Sequence, residues 1–266
     1  MSNIEFSLAE LLIVAGAEAW RHDGEVMGTG IGPLPRIAVS LAKASFNPKL
    51  ATTDGECWYT SDPLPPGMKV ADVEVEGWSP YERVFSGLWG GRRHAMGAPV
   101  QLDRFGQSNI SAIGDHAKPK AAMLGARGFP GNSIHHPNSF FFPQHTTRAF
   151  VAGEVDYVCS AGYNPARYPG GKFPAGLDLR LIVTELAVLD FRGKNHAIRV
   201  RSLHPGVSLE QVCDNTGFPL ERPETIPTTP APTAEQLALI ARLDPRSVRK
   251  TVLKNDPPGI RQESAA

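Results

Sequence analysis

The 266-residue sequence is poor in cysteine and has no excess of charge of either sign. Its three cysteines, Cys57, Cys159 and Cys213, are far apart and odd in number, which argues against a disulfide framework and predicts a reducing, cytoplasmic location. Lys+Arg and Asp+Glu both number 27, so nothing indicates a nucleic-acid or membrane-surface partner. The apolar run over residues 8–20 contains two glutamates, so we expect neither a membrane span nor a signal peptide there.

Several common active-site signatures are also missing. The stretch from Gly28 to Pro35 has the spacing G-x-G-x-G followed by prolines, which is not the G-x-G-x-x-G of a dinucleotide-binding loop. No G-x-S-x-G nucleophile elbow is present, which disfavours a serine hydrolase. Five histidines lie between positions 94 and 145, but their spacing matches no usual zinc pattern. We therefore predict no metal site.

The sequence that is present alternates between helical and strand-like patterns. Ser7, with Glu10 three positions later, predicts a capping box at the start of an apolar helix. Residues 35–44 have helical spacing, residues 179–193 predict a strand pair, and Thr233 is placed to cap a last helix. Strands separated by helices predict an α/β fold with a mostly parallel sheet, and the antiparallel pattern after residue 140 makes that sheet mixed.

Further strands are predicted at residues 148–152 and 155–162, where apolar residues cluster. We predict one α/β domain over residues 1–220. Residues 221–266 would then form a Pro/Thr-rich linker, a C-terminal helix and a tail that frays after Asp256.

Two motifs point to chemistry on a coenzyme A thioester. The first is QLDRFGQSN (residues 101–109), and the second is LGARGFPGN (residues 124–132). Together they resemble the β subunit of the family I CoA-transferases, where the pattern is close to GGAQVDRFGNLN followed by a run ending in PGAGG. Within that superfamily the chain is most similar to the β subunits of steroid ring-cleaving hydrolases, over residues 24–212. The resemblance implies a three-layer α/β/α sandwich of the CoA-transferase β-subunit type, with ligands at the carboxyl ends of the strands.

By this resemblance, the residues that determine the reaction type lie in TTDGE (residues 52–56). In family I CoA-transferases a glutamate here attacks the thioester and forms a glutamyl-CoA intermediate. This chain has Gly55 at the aligned position, with Asp54 before it and Glu56 after it. Asp54 and Glu56 are therefore the candidate catalytic carboxylates, and the alternative is that they only bond backbone N–H groups of a turn. Gly30 and Gly32 are predicted to line the same cleft, or else to form a tight structural turn.

The second motif, LGARGFPGN (residues 124–132), which we call the glycine loop, predicts a more specific role. In the family it supplies backbone N–H groups to the thioester oxygen as that oxygen becomes negative, and each such donor is worth about 3–4 kcal/mol. Gly125, Gly128 and Asn132 are the residues of this chain that match. Arg127, where the family usually has a small residue, is predicted to contact a carboxylate of the substrate. The alternative is a glycine-rich connection without a ligand.

Polar residues outside that loop complete the predicted substrate and CoA contacts. The first motif contributes Gln101, Asp103, Arg104 and Asn109. Arg93 is predicted either to contact the CoA phosphates or to satisfy the last carbonyls of a helix.

Three functions are compatible with these residues. The preferred one is a hydrolase that opens a ring of a steroid-derived cyclic keto acyl-CoA by retro-Claisen cleavage. The second is an acyl-CoA:carboxylate CoA-transferase with a carboxylate nucleophile, and the third is a non-catalytic subunit of such a complex. The resemblance implies an α subunit as partner, in an α2β2 assembly. It implies no separate cofactor, because coenzyme A arrives as part of the substrate.

Overall fold

The computed structural model describes residues 4–55 and 57–261, and in it the chain divides into two units. Unit 1 joins the segment up to Gly97 to the segment from Thr229 onward, and unit 2 is Ala98–Thr228. This division differs from the predicted boundary at residue 220. The physical reason is that the C-terminal helix α6 (Ala234–Leu243) packs on the N-terminal helices, so the last residues belong to unit 1 rather than to an appendage.

The helices of unit 1 begin where the sequence predicts. Helix α1 (Leu8–Ala17) starts at Ser7, whose hydroxyl accepts from the Glu10 N–H while the Glu10 carboxylate accepts from the Ser7 N–H. Helix α2 (Pro33–Ser45) has proline in its first turn, where no N–H is needed. Thr233 forms a second capping box at the start of α6. The three helices pack together, so that α1 is buried on nearly every side.

Unit 1 contains one parallel strand pair and one small antiparallel sheet. Strand β1 (Met27–Gly30) pairs in parallel with β5 (Arg93–Gly97), which places Gly28 opposite His94. Strands β2 (Thr52–Thr53), β3 (Trp58–Thr60) and β4 (Val75–Trp78) form the antiparallel sheet, and helix α3 (Tyr81–Trp89) follows it. As far as residue 261, the tail does not fray as predicted, because Leu8 and Phe6 exchange backbone hydrogen bonds with Pro257 and Gly259.

Unit 2 is built around a second set of strands. Strand β10 (Pro137–Phe142) runs parallel to β11 (Asp178–Thr184), whereas β12 (Ala187–Asp190) and β13 (Arg199–Leu203) continue the sheet in antiparallel fashion. The predicted strand pair in residues 179–193 is thus confirmed. The inward residues of these strands form an aromatic and aliphatic core that includes Phe140, Phe142 and Ile182.

Short elements complete unit 2. Strands β6 (Gln101–Leu102) and β7 (Ser108–Asn109) form one ribbon, and β8 (Ala112–Ile113) and β9 (Ala121–Ala122) form another. The helices are α4 (Phe129–His135) and α5 (Leu209–Asp214).

The strands predicted at residues 148–152 and 155–162 are wrong. Phe150 and Ser160 form only isolated bridges, to Leu102 and Ser108, because each pairs with the edge of the β6–β7 ribbon over a single residue. No helix within residues 4–55 and 57–261 has the length and apolar character needed to cross a membrane.

Candidate active site

The turn from β1 into α2 creates a narrow pocket in unit 1. Gly30 ends β1, and Gly32, with φ of 101°, precedes the first turn of α2. A Cβ at Gly30 would lie 2.2 Å from the carbonyl carbon and oxygen of Pro35, so a side chain is excluded there. Glycine therefore lets strand and helix approach closely, and the resulting pocket is lined by both predicted cleft segments, including Thr52 and Gly55.

Arg36 places a cation at this pocket. Its Nη2 donates to the carbonyl oxygens of Asp54 (3.0 Å) and Leu64 (3.3 Å), so the guanidinium ties α2 to two loop segments. Burial lowers the pKa of Arg36, and the nearby Asp54 carboxylate acts in the opposite direction. Sequence reasoning missed this residue. The available signal was an arginine in the first turn of a mostly apolar helical stretch.

The predicted catalytic carboxylates lie beside Arg36 or outside the described residues. Asp54 accepts a hydrogen bond from the Trp58 N–H (3.1 Å) and donates its own N–H to the Trp58 carbonyl, as the turn interpretation predicts. Glu56 lies outside the described residues. Gly55 has φ of 101°, and a Cβ there would lie 2.9 Å from Nη1 of Arg36. The position aligned with the family's nucleophile is thus a glycine packed against a guanidinium.

Arg93 lies in strand β5 next to β1. Its Nε donates to the Thr29 hydroxyl at 3.0 Å, and burial lowers the pKa of its guanidinium to about 10. Behind it, His94 is fully buried and bonded to Asp23 at 2.6 Å. The structure therefore gives Arg93 a role in joining the two strands, and its contact with CoA phosphates stays a prediction.

The first motif forms a buried hydrogen-bond network in unit 2. Asp103, 1% exposed, accepts from the backbone N–H groups of Phe105 (2.9 Å) and Gln107 (3.1 Å) and from the Gln107 amide. The side-chain Oε1 of Gln101 accepts from the Asn109 side-chain amide (2.7 Å). These side chains hold the motif's own turn together, and substrate contact by them stays a prediction.

Two residues of this motif show its electrostatics. Burial raises the pKa of Asp103, although its hydrogen bonds from Gln107 and the backbone oppose that shift. Arg104 is exposed, with its guanidinium 4.5 Å from the centre of the Phe105 ring. Of the predicted contacts in this motif, Arg104 has the free surface that a ligand needs.

The glycine loop in unit 2 leads into helix α4. Gly125 has φ of 78° and Arg127 has φ of 47°, a left-handed conformation that is unusual for a residue with a side chain. Arg127 is exposed, and its Nε donates to the Leu124 carbonyl (3.0 Å). A Cβ at Gly128 would meet only the Asn132 side chain, at an ordinary 3.7 Å. Packing therefore does not require glycine at position 128, which is consistent with a loop kept open for a ligand.

No group of three potential metal ligands exists within residues 4–55 and 57–261. Of the five clustered histidines, His145 is the clearest structural one. Its two ring nitrogens lie 2.9 Å from the hydroxyls of Thr184 and Thr216, and it stacks on Phe150. Burial, with a smaller contribution from His204, lowers the pKa of His145 to about 4.

Comparison with known proteins gives a consistent result. No family model matches the sequence. The chain is 39% identical over 248 residues to the cholesterol ring-cleaving hydrolase IpdB subunit of Rhodococcus jostii, covering 92% of this chain and 95% of the relative. The corresponding subunit of Mycobacterium tuberculosis is 37% identical, covering 93% and 98%. A 3-oxoadipate CoA-transferase subunit of Pseudomonas knackmussii is 29% identical, covering 91% and 95%.

Solved structures agree with these relatives. The crystal structure of Rhodococcus jostii IpdAB superposes with a TM-score of 0.85 at 38% identity, covering 94% of this chain and 100% of that one. Glutaconate coenzyme A-transferase from Acidaminococcus fermentans gives a TM-score of 0.75 at 24% identity, covering 91% and 96%, which is evidence about the fold alone. The predicted CoA-transferase β-subunit fold is thereby confirmed.

Proposed function

The chain belongs to the family of IpdB subunits of cholesterol ring-cleaving hydrolases, and on that premise we propose that it opens a ring of a steroid-derived acyl-CoA. It is accordingly a subunit of an enzyme of the CoA-transferase superfamily. In the proposed reaction water adds to the ring ketone of a cyclic keto acyl-CoA. The bond between the ketone carbon and the thioester α-carbon then breaks, leaving a carboxylate and a thioester enolate that takes up a proton.

The observation that favours hydrolysis over CoA transfer is the glycine at position 55. The family's transferases form their intermediate on a glutamate, whereas position 55 offers no carboxylate and its backbone packs against Arg36. Asp54 beside it contributes its carboxylate to the turn. An Asp in place of a Glu is one methylene shorter, and a misplacement of about 1 Å costs roughly a hundredfold in rate. This geometry supports a reaction without a glutamyl-CoA intermediate.

We assign stabilisation of the negative enolate oxygen to the glycine loop. Backbone N–H groups around Gly125 and Gly128 would hold the negative oxygen, since fixed donors stabilise charge that develops in the transition state. The absence of any packing requirement for glycine at position 128 and the exposure of Arg127 support a loop that faces a ligand. A carboxylate contributed by the α subunit would activate the water.

The assembly follows from the same premise. We propose that the chain works with an α subunit in an α2β2 complex in the cytoplasm, without a cofactor other than the CoA of its substrate. The solved Rhodococcus jostii relative is a pair of subunits, IpdAB, which supports a partner here. Cys57, Cys159 and Cys213 are free thiols, which supports a reducing compartment.

The proposal is tested by co-expression with the α subunit. Light scattering should show a hetero-oligomer with ring-opening activity on the acyl-CoA, whereas the chain alone should be inactive. A monodisperse, fully active monomer would contradict the proposed assembly. A correctly assembled complex without turnover on any cyclic keto acyl-CoA would favour the non-catalytic alternative.

A trapping experiment separates hydrolase from transferase. The complex is incubated with acyl-CoA, treated with borohydride or hydroxylamine, and analysed by mass spectrometry. We expect no modification, because position 55 lacks the nucleophile. A modified carboxylate at Asp54 or Glu56, together with loss of activity, would establish the transferase instead.

A further inference from the structure

The pocket at Arg36 contains polar groups without a hydrogen-bond partner among residues 4–55 and 57–261. Of the five N–H donors that a guanidinium carries, only those on Nη2 have partners within the part of the chain that the structure describes. Thr52 lines the same pocket, and its hydroxyl oxygen is buried without a partner among those residues. Buried polar groups are nearly always hydrogen-bonded, so the Thr52 hydroxyl calls for a partner. The half-buried guanidinium of Arg36 lines the same pocket and has donors left over for an occupant.

We propose that this pocket binds a carboxylate, held by the Nε and Nη1 side of Arg36 with the Thr52 hydroxyl as a further donor. The planar fork of a guanidinium matches the two oxygens of a carboxylate, which a lysine ammonium does not. Gly55 contributes by having no side chain, since a Cβ there would lie against Nη1. If the proposed function holds, on which this step rests, the carboxylate is one borne by the acyl part of the thioester.

The size of the pocket restricts the ligand to a small group. Its volume is about 40 Å³. One water molecule needs roughly 10–15 Å³ on the same measure. The pocket therefore has space for a terminal carboxylate but not for the ring of the substrate, which must lie outside it.

The local charges predict what kind of interaction dominates. The Asp54 carboxylate interacts favourably with Arg36 and therefore opposes an incoming anion. Binding then depends on directed hydrogen bonds more than on net charge. It follows that Arg36→Lys, which keeps the charge but loses the fork, should not restore binding.

Binding is tested directly with propionate labelled with ¹³C in its carboxyl group, titrated into the complex of the chain with its partner subunit and followed by NMR. We expect a dissociation constant in the millimolar range, no competition by propionamide, and at least tenfold weaker binding in both Arg36→Ala and Arg36→Lys. Arg222→Ala, at an exposed arginine of unit 2 outside the predicted site, should leave propionate binding unchanged. Absence of propionate binding to the wild-type complex, equal binding in the Arg36 variants, or displacement by propionamide would overturn the site.

A second variant protects the test against loss of folding, because Arg36 also bonds two backbone carbonyls. Thr52→Val preserves shape and removes only the hydroxyl, and it should weaken propionate binding about threefold to tenfold with an unchanged melting temperature. Unaltered propionate binding in Thr52→Val would remove the hydroxyl from the site. If the Arg36 variants do not fold, this result decides the proposal.

Kinetics separate this site from the proposed function. With an acyl-CoA that bears a free carboxylate, Arg36→Lys should raise KM at least tenfold with little change in kcat, whereas the matched methyl ester should show no such rise. Equal effects on both substrates would refute the carboxylate site while leaving ring opening intact. Conversely, propionate binding that depends on Arg36 in a complex without ring-opening activity would support the site and refute the proposed function.

Discussion

The two polar clusters of this chain differ in how completely they are hydrogen-bonded. In the network of residues 101–109, the central Asp103 carboxylate receives three hydrogen bonds from its own loop, although the Ser108 hydroxyl is buried without a partner among the described residues. In the pocket at Arg36, a guanidinium and the Thr52 hydroxyl keep donors that the described residues do not use. The family resemblance predicted the motif of residues 101–109 and the segments that line the pocket, but it did not predict Arg36. The Asp103 carboxylate therefore stabilises its own loop, whereas the remaining donors of Arg36 are available to a ligand.

The largest expected effect is on the satisfied network. Asp103→Ala removes the acceptor of two backbone N–H groups and leaves the Gln107 amide with only its bond to Glu154, so it should lower the free energy of unfolding by about 3–5 kcal/mol. Arg104→Ala, at the exposed neighbouring position, should stay within about 0.5 kcal/mol. Thermal unfolding of the complex measures both. Near-normal stability together with a large rise in KM in Asp103→Ala would mean that the network serves the substrate.

The pH dependence of stability tests the structural role of His145, whose two ring nitrogens both have hydrogen-bond partners. Its folded pKa of about 4 lies below the ordinary 6.5, so the unfolded state binds more protons between these values. Stability is therefore full above pH 6.5 and falls as the pH drops toward 4, by about 3 kcal/mol in total. Melting temperatures between pH 7.5 and 4.5 should show this decline. His145→Gln, which does not titrate, should flatten it, and an equal slope in that variant would assign the decline to other groups.

The turnover number of a Gly128 variant shows whether the glycine loop (residues 124–132) contacts the substrate or only connects two elements of the fold. Gly128→Val should lower kcat by roughly a hundredfold, the scale of one lost oxyanion donor. Folding should be preserved, because a Cβ at position 128 makes only ordinary contacts. Circular dichroism provides the control. Wild-type kinetics in a folded variant would make the loop a connection, and attention would return to residues 52–56.

Alanine at two glycines separates packing from function. Gly30→Ala forces a Cβ to within 2.2 Å of the Pro35 backbone and should destabilise the protein by about 1–3 kcal/mol. Gly128→Ala should change stability by less than about 0.5 kcal/mol. Differential scanning calorimetry of the two complexes is the measurement. Equal melting temperatures would show that the turn before α2 accommodates a side chain at position 30 with less strain than the 2.2 Å distance indicates.

The smallest effect is expected at Arg127. Because its side chain is exposed, Arg127→Ala should raise KM only about twofold to fivefold, and less for a substrate without a carboxylate. Steady-state kinetics with both substrates measure this rise. A KM increase as large as that of the Arg36 variants would remove the distinction between a buried and an exposed arginine.

Local signals in the sequence predict local structure well. The capping boxes at Ser7 and Thr233 are formed as expected, because each needs only residues three positions apart. The family and fold followed from motifs whose spacing is specific. The strand predicted around Phe150 is wrong because its partner is a distant ribbon edge that pairs over one residue.

The pocket could not be predicted from local signals. Arg36 and Thr52 are 16 positions apart in the sequence, and only the tertiary fold brings them to one cavity. Glycine patterns were likewise ambiguous. Position 30 requires glycine because the backbone of Pro35 fills the space that a side chain would need, whereas position 128 has room for a side chain. The sequence has glycine at both positions and does not distinguish the two reasons.

The discontinuity of unit 1 has a consequence for the order in which the chain is made. Helices α1 and α2 are synthesised early, but α6, which packs on both, follows the end of α2 by roughly 190 residues, including all of unit 2. At about 5–20 residues per second, that interval is on the order of ten seconds. During translation the apolar surface awaiting α6 is thus available to chaperones, while unit 2 can complete its own core first.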